Sequence, residues 1–565
     1  MSTIKISLVL TLAILMSFTS CKKDEDTLPI GKKIENSELQ TILKEMGYSF
    51  DANNKLVMND KAQNTKTLNL SGKQLSSYKG LDIFPSLEEI NLSDNLFTEF
   101  DFNKLPTTVT KVELQGNKLY SFSNLLQSNQ INKLYLPETA KYNDDEVLKF
   151  YLKHKDIDMK IMNVDKMIKY TTLRTIPDIQ LRSFLKTQYA SLFTDSDQID
   201  ISKELTIQEA GEFNLGNLFM PFPEEITTLE GIQYVIRKVT GAININLANQ
   251  AKISYLKFNP SVSAVMINNV DFTDAEIDFS NIENLFSWIM GQCPGIKKID
   301  LSKSNKLGIK GIEIPFAGLA ISGCEDLEEI VMKKIDELSF NAVIFENLPK
   351  LKSLNLKNLI EWQPSMVFKL TGLSNCKLTL PTKIKKDANG EKRSISIDKT
   401  ISETKEGKKF LENNKDVLSV EIVDNKKSFK LHTDAIDPNM NHFTGVLEPT
   451  MNGDKYNNVQ KTFKVTWKDN NKLDIELDGF KVGRMPGSVS IDIKDADYTT
   501  NQNGEKVFAG NYKKAVVMNM GIFTFRFDAA YSGHVQNNKL YFEIHSTGNV
   551  LWKTIKADIV FNRIQ

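Results

Sequence analysis

The feature that most constrains this chain is a fixed step between apolar pairs. Leu68 and Leu70, Ile90 and Leu92, Val112 and Leu114, and Leu134 and Leu136 recur with their first members 22 residues apart each time. Two apolar residues separated by a polar one mark a strand with one buried face. Strands that return at a constant step of this length need crossover connections, which makes them parallel neighbours. Each such unit hides its apolar face only against the next one, so the expected body is a stacked coil with a continuous core.

The unit is clearest where Leu87, Ile90, Leu92 and Asn95 are matched by Val109, Val112, Leu114 and Asn117. This period and pattern are those of a leucine-rich repeat, in which the asparagine side chain serves backbone groups at the turn. Lys73 and Thr139 hold the asparagine slot in the outer units, as expected where end repeats face solvent. A less regular series pairs Ile277 with Phe279, Ile299 with Leu301, Ile330 with Met332, Leu354 with Leu356, and Leu378 with Leu380, at steps of 22, 31, 24 and 24. Ile243, Ile245, Leu256 and Phe258 supply candidate earlier rungs.

Both series share their flanks. Helix-patterned caps, Glu38 to Lys44 and Asp178 to Lys186, precede matching lead-ins at Tyr78 to Phe84 and Leu229 to Val235. Each series closes with a strand running into Pro137 or Pro381, then a short helix and an apolar strand. The expected class is therefore α/β: two tandem capped leucine-rich-repeat solenoids, residues 31–165 and 166–427, followed by an all-β domain at 428–565. In that last domain the period becomes two, as in Thr462 to Trp467, Lys472 to Leu477, Ser488 to Ile493, Ile522 to Phe527 and Lys539 to Ile544. Strands with one wet face, joined at Asn470, Asn503 and Asn537, suggest an antiparallel barrel, with a β-sandwich as the rival. Trp467, Phe480, Phe523, Phe525, Phe527, Tyr541 and Phe542 are its candidate lining.

Residues 1–20 carry one charge, Lys5, and an apolar run from Ile6 to Met16 too short to span a bilayer, so they read as a secretory signal. The run ends at Ser20 and Cys21, which resembles a bacterial lipobox and implies acylation of Cys21. Residues 21–30 are then a lipidated tether. Lys22, Lys23, Asp24, Glu25 and Asp26 resemble the export tag of Bacteroidetes surface lipoproteins, which implies the outer leaflet of the outer membrane and exposure on the cell surface. The cap, lead-in and repeat order resembles the leucine-rich surface lipoproteins of that group, and the strand order after residue 428 resembles their calycin-like barrel domain.

Basic and acidic residues number 71 each, a balance that lacks the basic footprint nucleic acid demands. The five histidines, at 154, 432, 442, 534 and 545, are scattered without metal-ligand spacing. Asp51 to Lys55 and Asp195 to Asp197 start like calcium loops but do not continue as such, and capping turns account for them. Cys293, Cys324 and Cys376 read as reduced structural thiols. No metal, cofactor or catalytic residue is expected.

In the first solenoid, alternation places Asn69, Asn91, Glu113 and Tyr135 in one column on the concave face, flanked by Thr67, Glu89, Lys111 and Lys133. The second face includes Asp300, Val331 and Asn355. The expected function is noncatalytic recognition of a host or bacterial surface protein or glycan. A barrel that carries a small apolar ligand is the alternative, and a glycan-acting enzyme the third. The anchor is directly testable: fatty-acid labelling in cells should mark the natural chain and be lost in Cys21→Ser, whereas equal label in both would refute acylation.

Overall fold

The computed structural model describes residues 31–562 apart from 32, 217–224, 310–317, 425–438, 481, 483–486, 521 and 551–552. Cys21 and the tag from Lys22 to Asp26 lie outside the described residues. The chain divides into two compact units, one ending at Thr172 and one beginning at Leu173.

In the first unit Thr67–Asn69, Glu89–Asn91, Lys111–Glu113, Lys133–Leu136 and Asp158–Asn163 form successive parallel strands of a six-stranded sheet. Leu68, Ile90, Val112, Leu134 and Met159 stand opposite one another in register and are all buried. A two-stranded parallel sheet, Glu99–Asp101 with Ser121–Ser123, adds Phe100 and Phe122 to the same core. The repeated asparagines do what their position requires. Buried Asn95 accepts from the Leu75 amide and donates to the carbonyls of Leu70, Leu92 and Ser93, and Asn117 serves Phe97, Leu92 and Leu114 alike. The expected boundary after residue 165 falls inside a hairpin: Lys166–Lys169 pairs antiparallel with Asp158–Asn163 and completes this sheet.

The caps of the two units are built alike. Helix Ser37–Glu45 is capped by Asn36 and buries Leu39 and Leu43, while helix Ile179–Gln188 is capped by Asp178 and buries Leu181 and Leu185. Such i, i+4 leucines turn one stripe of a helix inward. Gly80 and Gly231 both adopt positive φ, at 107° and 103°, and a side chain there would press on Ile34 and Ile176 respectively. Beyond these caps the longest described helix is Lys405–Asn413, so strands and turns make up most of the described body, and the alternation of strand with helix expected of an α/β chain is not what forms it.

The second unit carries a nine-stranded sheet running from Glu212–Leu215 to Leu418–Val423, parallel throughout. Its central strands are Ser287–Gly291, Gly318–Ser322 and Ala342–Glu346. The irregular series read from sequence is corrected here. Lys298–Leu301 with Glu329–Met332, and Ser353–Asn355 with Lys377–Thr379, form separate two-stranded sheets, as does Tyr255–Lys257 with Glu276–Asp278. Ile243 and Ile245 belong to the main sheet, whereas Leu256 belongs to a small one.

Residues from Met440 onward form a ten-stranded antiparallel sheet, and its eight long strands close into a barrel when Met440–Met451 pairs with both Val459–Lys468 and Lys553–Phe561. Closure excludes the sandwich. Inward residues such as Phe463, Val465, Ile475, Ile491 and Phe542 are buried, as alternation dictates. Ile289, Ala320, Ala342 and Ile344 of the parallel sheet, with Met366 just before strand Val367–Thr371, belong to the same buried cluster as these barrel side chains.

The asparagine slots yield a stability prediction. Asn95→Ala would take the donor from the Leu70 carbonyl and the acceptor from the Leu75 amide, while Leu92 keeps Asn117 and Ser93 keeps the Gly72 amide; it should cost about 2–3 kcal/mol, against less than about 1 kcal/mol for half-buried Asn91→Ala. Urea titration read by hydrogen exchange at strands 68–134 measures both, and equal losses would contradict the role assigned to Asn95.

Candidate functional site

The outward column of the first sheet is assembled as the alternation requires: Asn69, Asn91, Glu113, Tyr135 and Lys160 are consecutive register partners. Neighbouring strands put such residues about 4.8 Å apart in one line. Asn69 and Asn91 each accept from the amide two residues on, Ser71 and Ser93, at 3.0 Å, so their oxygens hold the turns that end their strands. Glu113 and Tyr135 are charged and aromatic at the centre. Lys111 places its ammonium 2.8 Å from Glu113 and 3.5 Å from Glu89, and the hydrogen bond it donates to Glu113 holds that lysine above its ordinary pKa.

Tyr135 is half-buried and held from three sides. Its hydroxyl donates to Asp158 Oδ2 at 3.0 Å, while Lys160 and Lys111 stand 4.8 and 5.9 Å from its ring centroid. Lys160 itself lies 3.9 Å from Asp158. Exposed pairs of this kind add little stability. Their effect is order: two lysines, three carboxylates and an aromatic ring are fixed in relative position on one sheet face.

The second unit does not repeat this face. Asp300 and Val331 are register partners and Asn355 pairs with Thr379, but on the small sheets, away from the main one. The corresponding column of the main sheet runs from Asn214 and Asn244 through Met266, Ile289, Ala320 and Ile344 to Lys369, Ser396 and Glu421, and its middle members Ile289, Ala320 and Ile344 lie in the cluster shared with the barrel. A groove of about 590 Å³ opens beside Glu337, Ile360, Lys383 and Lys386. At its floor buried Asn414 is committed to the Ile384 amide and the Phe410 carbonyl.

The remaining candidates resolve into local roles. Asp51 accepts from the amides of Asn53 and Lys55 at 2.8 Å, a turn cap, and Asp197 pairs with Lys186. Among the described residues no group of three His, Cys, Asp or Glu could hold a metal ion. Buried Cys293 donates to the Gly291 carbonyl at 3.1 Å, and Cys324 faces that of Ser322 at 3.8 Å; burial raises the Cys293 thiol well above its usual range.

Inside the barrel Phe463 meets Phe542 and Phe561 with centroids 5.2 and 4.7 Å apart. Tyr541 corrects the expected lining. It is adjacent to inward Phe542, so it faces out, stacked on His534 at 4.7 Å. Sequence reasoning found Trp467 but not its companions Tyr498 and Lys506, for a single lysine in an alternating strand carries no signal of what it faces. No protein-family model matches the chain, and no curated protein matches it either.

Proposed function

We propose that the mature chain is a noncatalytic lipoprotein of the outer-membrane surface, anchored through Cys21 and exported by the tag from Lys22 to Asp26. In this reading its first unit is a leucine-rich-repeat module that recognises an extended protein or glycan. The observation that carries the reading is a contrast between two parallel sheets. In the first, the column residues between the buried leucines are exposed or half-buried. In the second, strands Ser287–Gly291 and Gly318–Ser322 are buried on both faces. A flat, ordered, mixed-charge line with an aromatic ring suits an extended partner, because the ring supplies contact area at small entropy cost. Carriage of an apolar molecule in the barrel is the weaker reading, since ring contacts between Phe463, Phe542 and Phe561 fill part of the interior.

The test is an array of extracellular proteins and polysaccharides probed with the whole chain, followed by titration of the strongest binder. Tyr135→Ala should weaken that binding by about 1–2 kcal/mol, and Lys111→Ala should weaken it most at low salt. Binding indifferent to both substitutions would remove the first sheet as the recognition face.

A further inference from the structure

The barrel has two unlike ends, which its register distinguishes. At one, Phe480 pairs with Val489, Val489 with Met518 and Met518 with Phe525, and Phe525 bridges to Met366 of the parallel sheet. That end is covered. At the other, Trp467 pairs with Leu473, Lys472 with Asp497, Thr499 with Val507, and Lys506 with Val535. Here Trp467 and Tyr498 meet edge to face with centroids 5.0 Å apart, and the Lys506 ammonium lies 3.7 Å from the Trp467 centroid and 5.3 Å from that of Tyr498. Trp467 and Tyr498 are half-buried, as is Lys506.

Among the described residues the Lys506 ammonium has no carboxylate within ion-pairing distance, and its interactions are with the two rings. The carboxylates nearest in sequence are engaged elsewhere. Asp497 pairs with Lys472 at 2.5 Å, while Glu505 lies 3.4 Å from His534 and accepts from Asn501 at 2.7 Å. Burial lowers the Lys506 ammonium from the ordinary lysine value. Tyr512 lies six residues on from Lys506 on the same inward face of their strand, and Tyr531 stands opposite Gly510 on the next. Tyr531 is only 7% exposed, with its phenol oxygen beside Gly510. Among the described residues, the phenol oxygens of Tyr498, Tyr512 and Tyr531 make no hydrogen bond.

We propose that the mouth formed by Trp467, Tyr498 and Lys506, with Tyr512 further along the same inward face, is a second binding site, for an acidic saccharide whose uronate carboxylate pairs with Lys506 while a pyranose ring lies on the aromatic pair. The chemistry matches part by part. A half-buried ammonium without a counterion gains most from a carboxylate brought to it in a site of reduced dielectric. Aromatic planes offer a pyranose its apolar face, and uncommitted phenols supply partners for its hydroxyls. A neutral sugar would leave the cation unanswered. The site lies in the second unit and does not depend on recognition by the first.

Trp288 and Trp362 are fully buried, and the Trp467→Phe variant separates the Trp467 signal from that of the fourth tryptophan, Trp552, which lies outside the described residues. The whole chain is titrated with trigalacturonate and, separately, with neutral galactotriose, while tryptophan emission and calorimetric heat are followed. Trigalacturonate should give a saturable change in both, with galactotriose at least about ten-fold weaker. Lys506→Met should weaken trigalacturonate binding by about ten-fold or more, Lys506→Arg should largely restore it, and Trp467→Phe should abolish the emission change. Lys506→Met that unfolds at the same temperature yet binds trigalacturonate as the natural chain does would overturn the proposal. Equal binding of the neutral trisaccharide, or no heat and no emission change with trigalacturonate, would overturn it too.

Discussion

The burial of one face of the nine-stranded parallel sheet against the barrel is the interaction on which the second unit depends. Ile289, Ala320, Ile344 and Met366 share a core with Phe525 and its barrel neighbours, and each fully buried large side chain of this kind contributes about 1.5–3 kcal/mol. Polar contacts at the edge of this contact are secondary. Arg526 lies 3.6 Å from Glu421 and Lys514 donates to Ser394 at 2.7 Å, and the partly exposed Arg526 pair is worth little. The apolar contact fixes which end of the barrel is covered and which end, with Trp467 and Lys506, is left to solvent. It also removes the middle of the second sheet, around Ile289, Ala320 and Ile344, from the surfaces that can meet a partner, which is why recognition is assigned to the first.

That same burial explains what could be read from sequence and what could not. The 22-residue step of the first unit was legible because Leu68, Ile90, Val112 and Leu134 alternate with exposed or half-buried polar residues. In the second unit the main strands are buried on both faces, so Trp288, Ile289 and Met290, or Val343, Ile344 and Phe345, form continuous apolar runs. A search for alternation passes over such runs. It settles on half-wet segments instead, and Ile299 with Leu301 or Leu354 with Leu356 proved to lie on the small accessory sheets. The barrel was legible because its strands again alternate, and the misplaced Tyr541 came from counting aromatics without applying that alternation to its neighbour Phe542.

The candidate sites were legible to different depths. The column from Asn69 to Tyr135 followed from period and register alone. The engagement of Tyr135 by Asp158 and Lys160 did not, because those residues arrive on a strand that lies outside the repeat and follows a helix. Lys506 was invisible for a simpler reason: its significance is the lack of a counterion, and the pairing of Asp497 and Glu505 with other residues is set by three-dimensional neighbours.

The most direct test of this account is native-state hydrogen exchange across the second unit at rising denaturant. If the sheet face and the barrel form one core, amides in Ser287–Gly291, Gly318–Ser322 and Ala342–Glu346 should open together with those of barrel strand Phe523–Gln536, and Ile344→Asp should lower the protection of both by the same free energy. Barrel amides that keep full protection in Ile344→Asp while the sheet opens would contradict it.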